Sequence, residues 1–222
     1  MTFSPAWDNA FQANTHISVW PWSDLVSFVN RYAKAADGYQ RVLELGCGVG
    51  ANIPFFLRSG FDYCAVEGSQ AAVAKLHDAY PRLRERVVLG DFTRAIPFSG
   101  PFDLAVDRGA LTYDSTDAIR HSLSMIFERL RAGGKLLCLD WFATDHQDAR
   151  AGEELDAHTR KNLSPELLAG PGNVHFSDQA HLIDLFGGAG FRVDRLEHKV
   201  REVAFPEGGG KLAWWHVVAT KP

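Results

Sequence analysis

At 222 residues and 46% hydrophobic content, the chain has the length of one domain with a full core. A net charge of −4, with no Lys/Arg-rich stripe, argues against nucleic acid or an anionic membrane as the main partner. No basic-then-apolar leader is visible, and no apolar run nears the roughly 20 residues that span a bilayer. Cys47, Cys64 and Cys138 stand far apart without a CxxC pair, so a cytoplasmic protein with reduced thiols is expected.

Strand-like and helix-like segments alternate along the chain. Ser23 or Asp24 caps a first helix to about Ala36, with Leu25, Phe28, Val29 and Tyr32 at helical spacing. A strand from Arg41 to Leu45 breaks into Gly46, Gly48 and Gly50, and a helix follows from Ala51 to Arg58. Tyr63 to Val66 reads as the second strand, and Ser69 caps a helix from Gln70 to Ala79. Val87 to Leu89 and Phe102 to Val106 are the third and fourth strands. A helix from Asp117 to Arg131 is expected to stop at Gly133-Gly134, with Lys135 to Leu139 as the fifth strand.

Trp141 to Ser177 is polar, rich in His and acids, and carries Ser164-Pro165-Glu166 and Gly170-Pro171-Gly172; it suits a substrate lid. Ser177 caps a helix from Asp178 to about Phe186, ended by Gly187-Gly188. Phe191 to Val200 and Leu212 to Thr220 are joined by the turn-rich stretch Pro206 to Gly210, a connection short enough to imply an antiparallel pair. The expected fold is a single α/β domain over residues 1–222: a seven-stranded, doubly wound, Rossmann-like sheet. It is mostly parallel, ends in an antiparallel C-terminal hairpin and carries helices on both faces. Residues 1–38 would form an N-terminal helical lid and 141–177 the substrate lid.

A buried strand that ends in glycines and turns into a helix brings backbone N–H groups close to a ligand. Three acids follow successive strands: Glu67, Asp91 and Asp107, all expected at one crevice beyond the strand ends. Glu67 lies about 20 residues past the first glycine, where an acid takes ribose hydroxyls. The pattern Gly46-x-Gly48-x-Gly50 lacks the GxGxxG spacing of a pyrophosphate site, and no Tyr-x-x-x-Lys pair is present. An NAD-dependent oxidoreductase is therefore the weaker reading.

The segments Leu43-Glu44-Leu45-Gly46-Cys47-Gly48-Val49-Gly50, Ala65-Val66-Glu67-Gly68-Ser69, Gly90-Asp91-Phe92, Phe102-Asp103-Leu104-Ala105-Val106-Asp107 and Leu130-Arg131-Ala132-Gly133-Gly134-Lys135 occur in order. In this the chain resembles the class I S-adenosylmethionine-dependent methyltransferases. The resemblance implies that Gly46, Cys47, Gly48 and Gly50 wall the methionine part of the cofactor, with Asn52 and Gly68 nearby. Glu44 would organise that loop or reach the ammonium, Glu67 would hold the ribose, and Asp91 and Phe92 the adenine. Asp107 would meet the cofactor or brace the turn at Arg108.

No Asn/Asp-Pro-Pro-aromatic tetrapeptide follows the fourth strand. Asp107-Arg108-Gly109-Ala110-Leu111 is instead similar to thiopurine and tellurite-resistance methyltransferases, which act on small molecules. Trp7-Asp8 and Trp20-Pro21-Trp22 resemble methyltransferases of surface-polysaccharide and modified-sugar clusters. A small-molecule O- or N-acceptor, including a sugar or phosphorylated intermediate, is implied; a non-catalytic cofactor binder is the further alternative.

For the acceptor, Arg108, Tyr113, Trp141 and Trp20 are candidate contacts, Arg108 holding an anionic group or pairing with an acid. Asp107, Arg108, His146 and His175 are the candidate catalytic residues, His146 or His175 serving as base, and His158 is a further candidate substrate contact. His77 and His181 read as surface residues. Metal binding is not expected unless Asp107, Asp140 and a lid residue converge.

Overall fold

The structure, a computed structural model, describes residues 4–33, 40–163, 172–206 and 210–222. It opens with a helix the periodicity does not predict, α1 (Pro5–Gln12), started by Pro5 in its first turn and by Ser4, whose Oγ accepts from the Ala6 N–H. Helix α2 (Ser23–Tyr32) stops before the expected end; 34–36 lie outside the described residues. Then come β1 (Arg41–Leu45), α3 (Ile53–Arg58), β2 (Asp62–Glu67), α4 (Gln70–Ala79), β3 (Val87–Leu89), β4 (Phe102–Arg108), α5 (Thr116–Arg129) and β5 (Leu130–Phe142). A small sheet of β6 (Glu153–Asp156), β7 (Thr159–Lys161) and β8 (Asn173–His175) precedes α6 (Gln179–Gly188), β9 (Arg192–Glu202) and β10 (Lys211–Thr220).

The main sheet has the order β3-β2-β1-β4-β5-β10-β9, with β1 to β5 parallel and β10 antiparallel to both neighbours. That is the expected seven-stranded architecture. Alternate residues of each strand feed opposite layers. Leu43, Val66, Ala105 and Leu136 join Ile119 and Leu123 of α5 and Leu182 and Phe186 of α6 on one face. Val42, Tyr63, Leu104 and Leu137 join Leu25 and Phe28 of α2, Ile53 and Phe56 of α3 and Leu76 of α4 on the other.

Three boundaries move for identifiable reasons. Leu130 already has extended backbone and pairs with Phe102, so α5 stops at Arg129 and Gly133-Gly134 belongs to β5, bonded to the backbone of Lys221. Helix α6 runs through Gly187-Gly188 and stops only before Gly190, whose φ of +94° supplies the left-handed turn. Residues 143–177 are not an open loop. Their described part folds as β6-β7-β8 over a separate apolar cluster of Phe142, Ala149, Leu163, Val174 and Phe176. The Ser-Pro-Glu stretch and Gly170-Pro171 fall outside the described residues, as do 207–209 of the hairpin turn.

Candidate active site

Strand order reverses between β1 and β4, where a doubly wound sheet opens a crevice beyond its strand ends. A cavity of about 770 Å³ lies there, within the range of small-ligand sites.

One end is built by β1, β2 and β3. Gly46 leaves β1 with φ +63°, and a Cβ there would lie 2.3 Å from the Ala110 Cβ, so the backbone itself forms the wall. Both oxygens of Glu67 meet backbone donors, Oε2 accepting from the Gly48 N–H at 2.7 Å and Oε1 from Ser69 N–H at 2.8 Å. The carboxylate thus ties the glycine loop to the start of α4, and burial raises its pKa. Asp91 Oδ1 accepts from the N–H and Oγ1 of Thr93, while Phe92 packs near Gly46. Glu44 is buried inside β1, where Tyr63 donates its hydroxyl at 2.5 Å and Asn52 its amide at 2.7 Å. Asn52 Oδ1 in turn accepts from the Trp22 N–H. Cys47 lines the cavity, but burial drives its thiol well above the usual range, which removes thiolate reactivity.

The other end is aromatic and charged. Arg108 at the end of β4 donates to Asp140 at 2.5 Å, and its guanidinium lies 3.6 Å from the Trp22 ring. Asp140 ends the parallel part of β5 with φ +57°, and its other oxygen meets His216 Nε2 at 2.9 Å. These partners hold Asp140 below the usual carboxylate pKa, outweighing its burial. Lys199 of β9 pairs with Asp24 of α2. Trp7, Tyr113, Phe142 and Trp214 supply apolar walls, Tyr113 meeting Trp7 and Phe142 edge-on. Helix α1 covers the opening. Asp8 accepts from Ser69 Oγ and Ala71 N–H at the start of α4, and Phe11 packs over Gly48.

Glu44, Gly46, Cys47, Gly48, Asn52, Glu67, Asp91, Phe92, Arg108 and Tyr113 all line this cavity. Gly50 and Gly68 do not; Gly50 is packed beneath Leu76 and Ile53. Asp107 is fully buried behind the wall and braces the turn to Leu111, accepting from the N–H groups of Ala110 and Leu111 and from Trp141 Nε1. Burial raises its pKa to about 6. Trp141 is likewise fully buried against Phe186, so its expected substrate contact is replaced by this brace. Trp20 is 78% exposed and off the cavity; Trp22 takes the place expected for it.

The lid histidines are also displaced. His146 is buried among Phe142, Phe176 and Trp214, its Nδ1 accepting from the Asp148 N–H. His175 is fully buried, bonded to Thr159 and to His181, and burial lowers its pKa to about 3. His158 stacks on His181 at 3.5 Å beside a second cavity. His181 is therefore a buried residue, not a surface one. None of the three lid histidines lines the main cavity. Among the described residues, one metal-type grouping is found, Asp24, Asp140 and His216 at the aromatic end, without Asp107, and its two acids already pair with Lys199 and Arg108.

Residues 1–38 were expected to form a helical lid, but the bounds of α1 within it were not read, and Asp114 and the β9 cations Lys199 and Arg201 were missed; all line the cavity through residues without motif spacing. Ser4-Pro5 is the one signal that announces α1.

Comparison with known proteins supplies the chemistry. Ribosomal RNA small subunit methyltransferase A of Porphyromonas gingivalis is 39% identical over 51 residues. That match covers 23% of this chain and only 20% of that protein, so the chain spans about a fifth of the curated relative. A SAM-dependent methyltransferase of Methanosarcina mazei superposes with a TM-score of 0.70 at 16% identity, over 92% of this chain and 99% of the other. The 1,6-didemethyltoxoflavin-N1-methyltransferase of Burkholderia thailandensis, with S-adenosylhomocysteine bound, gives 0.68 at 18% identity over 96% and 84%. The family model described as "Methyltransferase domain" matches residues 14–196, which include β1 to β5 and the glycine-loop end of the cavity. That match decides against an oxidoreductase: the chain belongs to the methyltransferase-domain family.

Proposed function

We propose that the protein transfers a methyl group from S-adenosyl-L-methionine to an oxygen or nitrogen atom of a small molecule held at the aromatic end of the cavity. The observation that carries this reading is the division of one cavity between an acid-and-glycine end and an aromatic, ion-paired end. Glu67 suits the ribose hydroxyls, since each oxygen keeps a lone pair after its backbone contact. Asp91 and Phe92 suit adenine, and the loop Gly46 to Gly48 the methionine portion.

When bound, the cofactor supplies an electrophilic methyl whose departure leaves a neutral thioether. The protein's task is then alignment and exclusion of water rather than acid–base work. Trp7, Tyr113, Phe142 and Trp214 supply apolar surface for the acceptor. The Arg108–Asp140 pair offers both a cationic fork and a carboxylate at the acceptor, and helix α1 shields the cavity from solvent. A flat or ring-shaped acceptor with a polar substituent fits that lining better than a polymer.

The test is calorimetric titration with S-adenosylhomocysteine, followed by transfer of labelled methyl to a panel of small aromatic, sugar and acid acceptors. Binding with transfer is expected. Absence of S-adenosylhomocysteine binding overturns the cofactor assignment, and transfer only to ribosomal RNA overturns the small-molecule acceptor.

A further inference from the structure

One group in the cavity wall lacks what a buried carboxyl needs. Asp114 follows the short turn Leu111–Tyr113, is only 7% exposed and lines the main cavity. Among the described residues no side chain or backbone N–H donates to its carboxyl. Asp91, beyond β3, and Asp107, in β4, are the charged groups that act on it, and both are acids. Its carboxyl faces the cavity, so water or a ligand must supply the donor that the described residues do not. Its neighbour Asp91 sits at the end of the cavity where adenine is proposed to bind.

Resting on that cofactor reading, we propose that Asp114 reads the adenine ring, its carboxyl bonding the exocyclic amine and the adjacent ring nitrogen N7 together. An amine hydrogen and an N7 lone pair lie side by side on that edge of adenine. A carboxyl that keeps its proton matches them, the carbonyl oxygen accepting from the amine and the O–H donating to N7. Desolvation, with repulsion from Asp91 and Asp107, pushes Asp114 up to about 8, so the proton is present at neutral pH. As pH rises through that value the carboxylate turns a lone pair towards N7, and the second bond is lost. Asp91 is left to take the other amine hydrogen. The pair of acids would distinguish adenine from a base with a carbonyl at that carbon.

Calorimetry on the whole chain tests this with two ligands, S-adenosylhomocysteine and its 7-deaza analogue, which carries C–H in place of N7. The wild type should bind the 7-deaza ligand about tenfold more weakly at pH 6.5, and its preference should shrink by pH 9. Asp114→Asn, whose amide also accepts and donates, should keep the preference at both pH values. Asp114→Ala should bind both ligands alike. If the wild type binds both ligands equally at pH 6.5, the role of Asp114 is overturned while the cofactor reading stands. If it binds neither, the cofactor reading itself has failed. The ligand comparison uses the unaltered protein, so a variant that folds poorly does not blunt the test.

Discussion

Replacing Gly46 by Ala places two separable costs on the protein. Gly46 has φ +63°, a backbone conformation that costs a residue with a Cβ about 1–2 kcal/mol. The new Cβ would lie 2.3 Å from the Ala110 Cβ, where carbon atoms pack at about 3.5–4 Å. Relieving that overlap requires the β1 turn and the β4–α5 turn to part, an overpacking cost of about 1–3 kcal/mol. Gly46→Ala should therefore lower stability by about 2–5 kcal/mol in urea unfolding at unchanged m-value. Ala110→Gly alone should cost about 1 kcal/mol. The double variant keeps the backbone cost but loses the overlap, so it should be more stable than the sum of the singles predicts by about 1–3 kcal/mol. Additivity within about 0.5 kcal/mol would refute the contact between these turns.

Other perturbations probe separate parts of the structure. Trp141→Phe removes the indole donor of Asp107 and leaves a buried carboxylate oxygen unmet; a loss of about 1–3 kcal/mol in urea unfolding is expected, and no loss would argue against the brace. His181 sits near a pKa of 4 against 6.5 in the unfolded chain, so the folded state binds fewer protons and its contribution falls as pH drops through 6.5. His181→Gln should accordingly gain about 1–2 kcal/mol relative to wild type between pH 7 and pH 5 in parallel thermal melts. Asp114 behaves oppositely: its folded value near 8 means stability present at low pH is lost as pH rises from about 4 through 8. Asp114→Asn should therefore gain on the wild type between pH 6 and pH 9 in the same melts, without ligand. Glu67→Ala should weaken S-adenosylhomocysteine binding at least tenfold by calorimetry; unchanged affinity would reject the ribose assignment.

What could be read from the residues was what depends on short range. Near-continuous apolar runs, buried on both faces of a parallel sheet, mark Arg41–Leu45, Asp62–Glu67 and Phe102–Arg108 as strands, and a glycine turn or a capping Ser69 marks the joints. The acids at strand ends followed, because a parallel sheet delivers its carboxyl edge to one crevice. Residues whose position depends on packing between distant elements could not be read this way. Trp141 and Trp20 are chemically alike, yet one is sealed behind Asp107 and the other lies in solvent. The lid histidines looked catalytic by composition, but His175 is buried against His181 and His146 among Phe142, Phe176 and Trp214, away from the cavity. Arg108 was foreseen, while its partner was settled by the left-handed bend at Asp140 that turns this carboxylate back towards β4.

A chain of contacts runs beneath the cavity from one end to the other. Tyr63, Glu44, Asn52 and the Trp22 backbone form one chain of hydrogen bonds; the Trp22 ring, Arg108, Asp140 and His216 continue it. The start of α2 is therefore shared property of the glycine loop and of the acceptor end. On the proposed reading, a ligand that orders one end would stiffen Trp22 and prepare the other, which would couple the two binding events. Coupling of this kind is symmetric: whatever factor the cofactor adds to acceptor affinity, the acceptor must add to cofactor affinity.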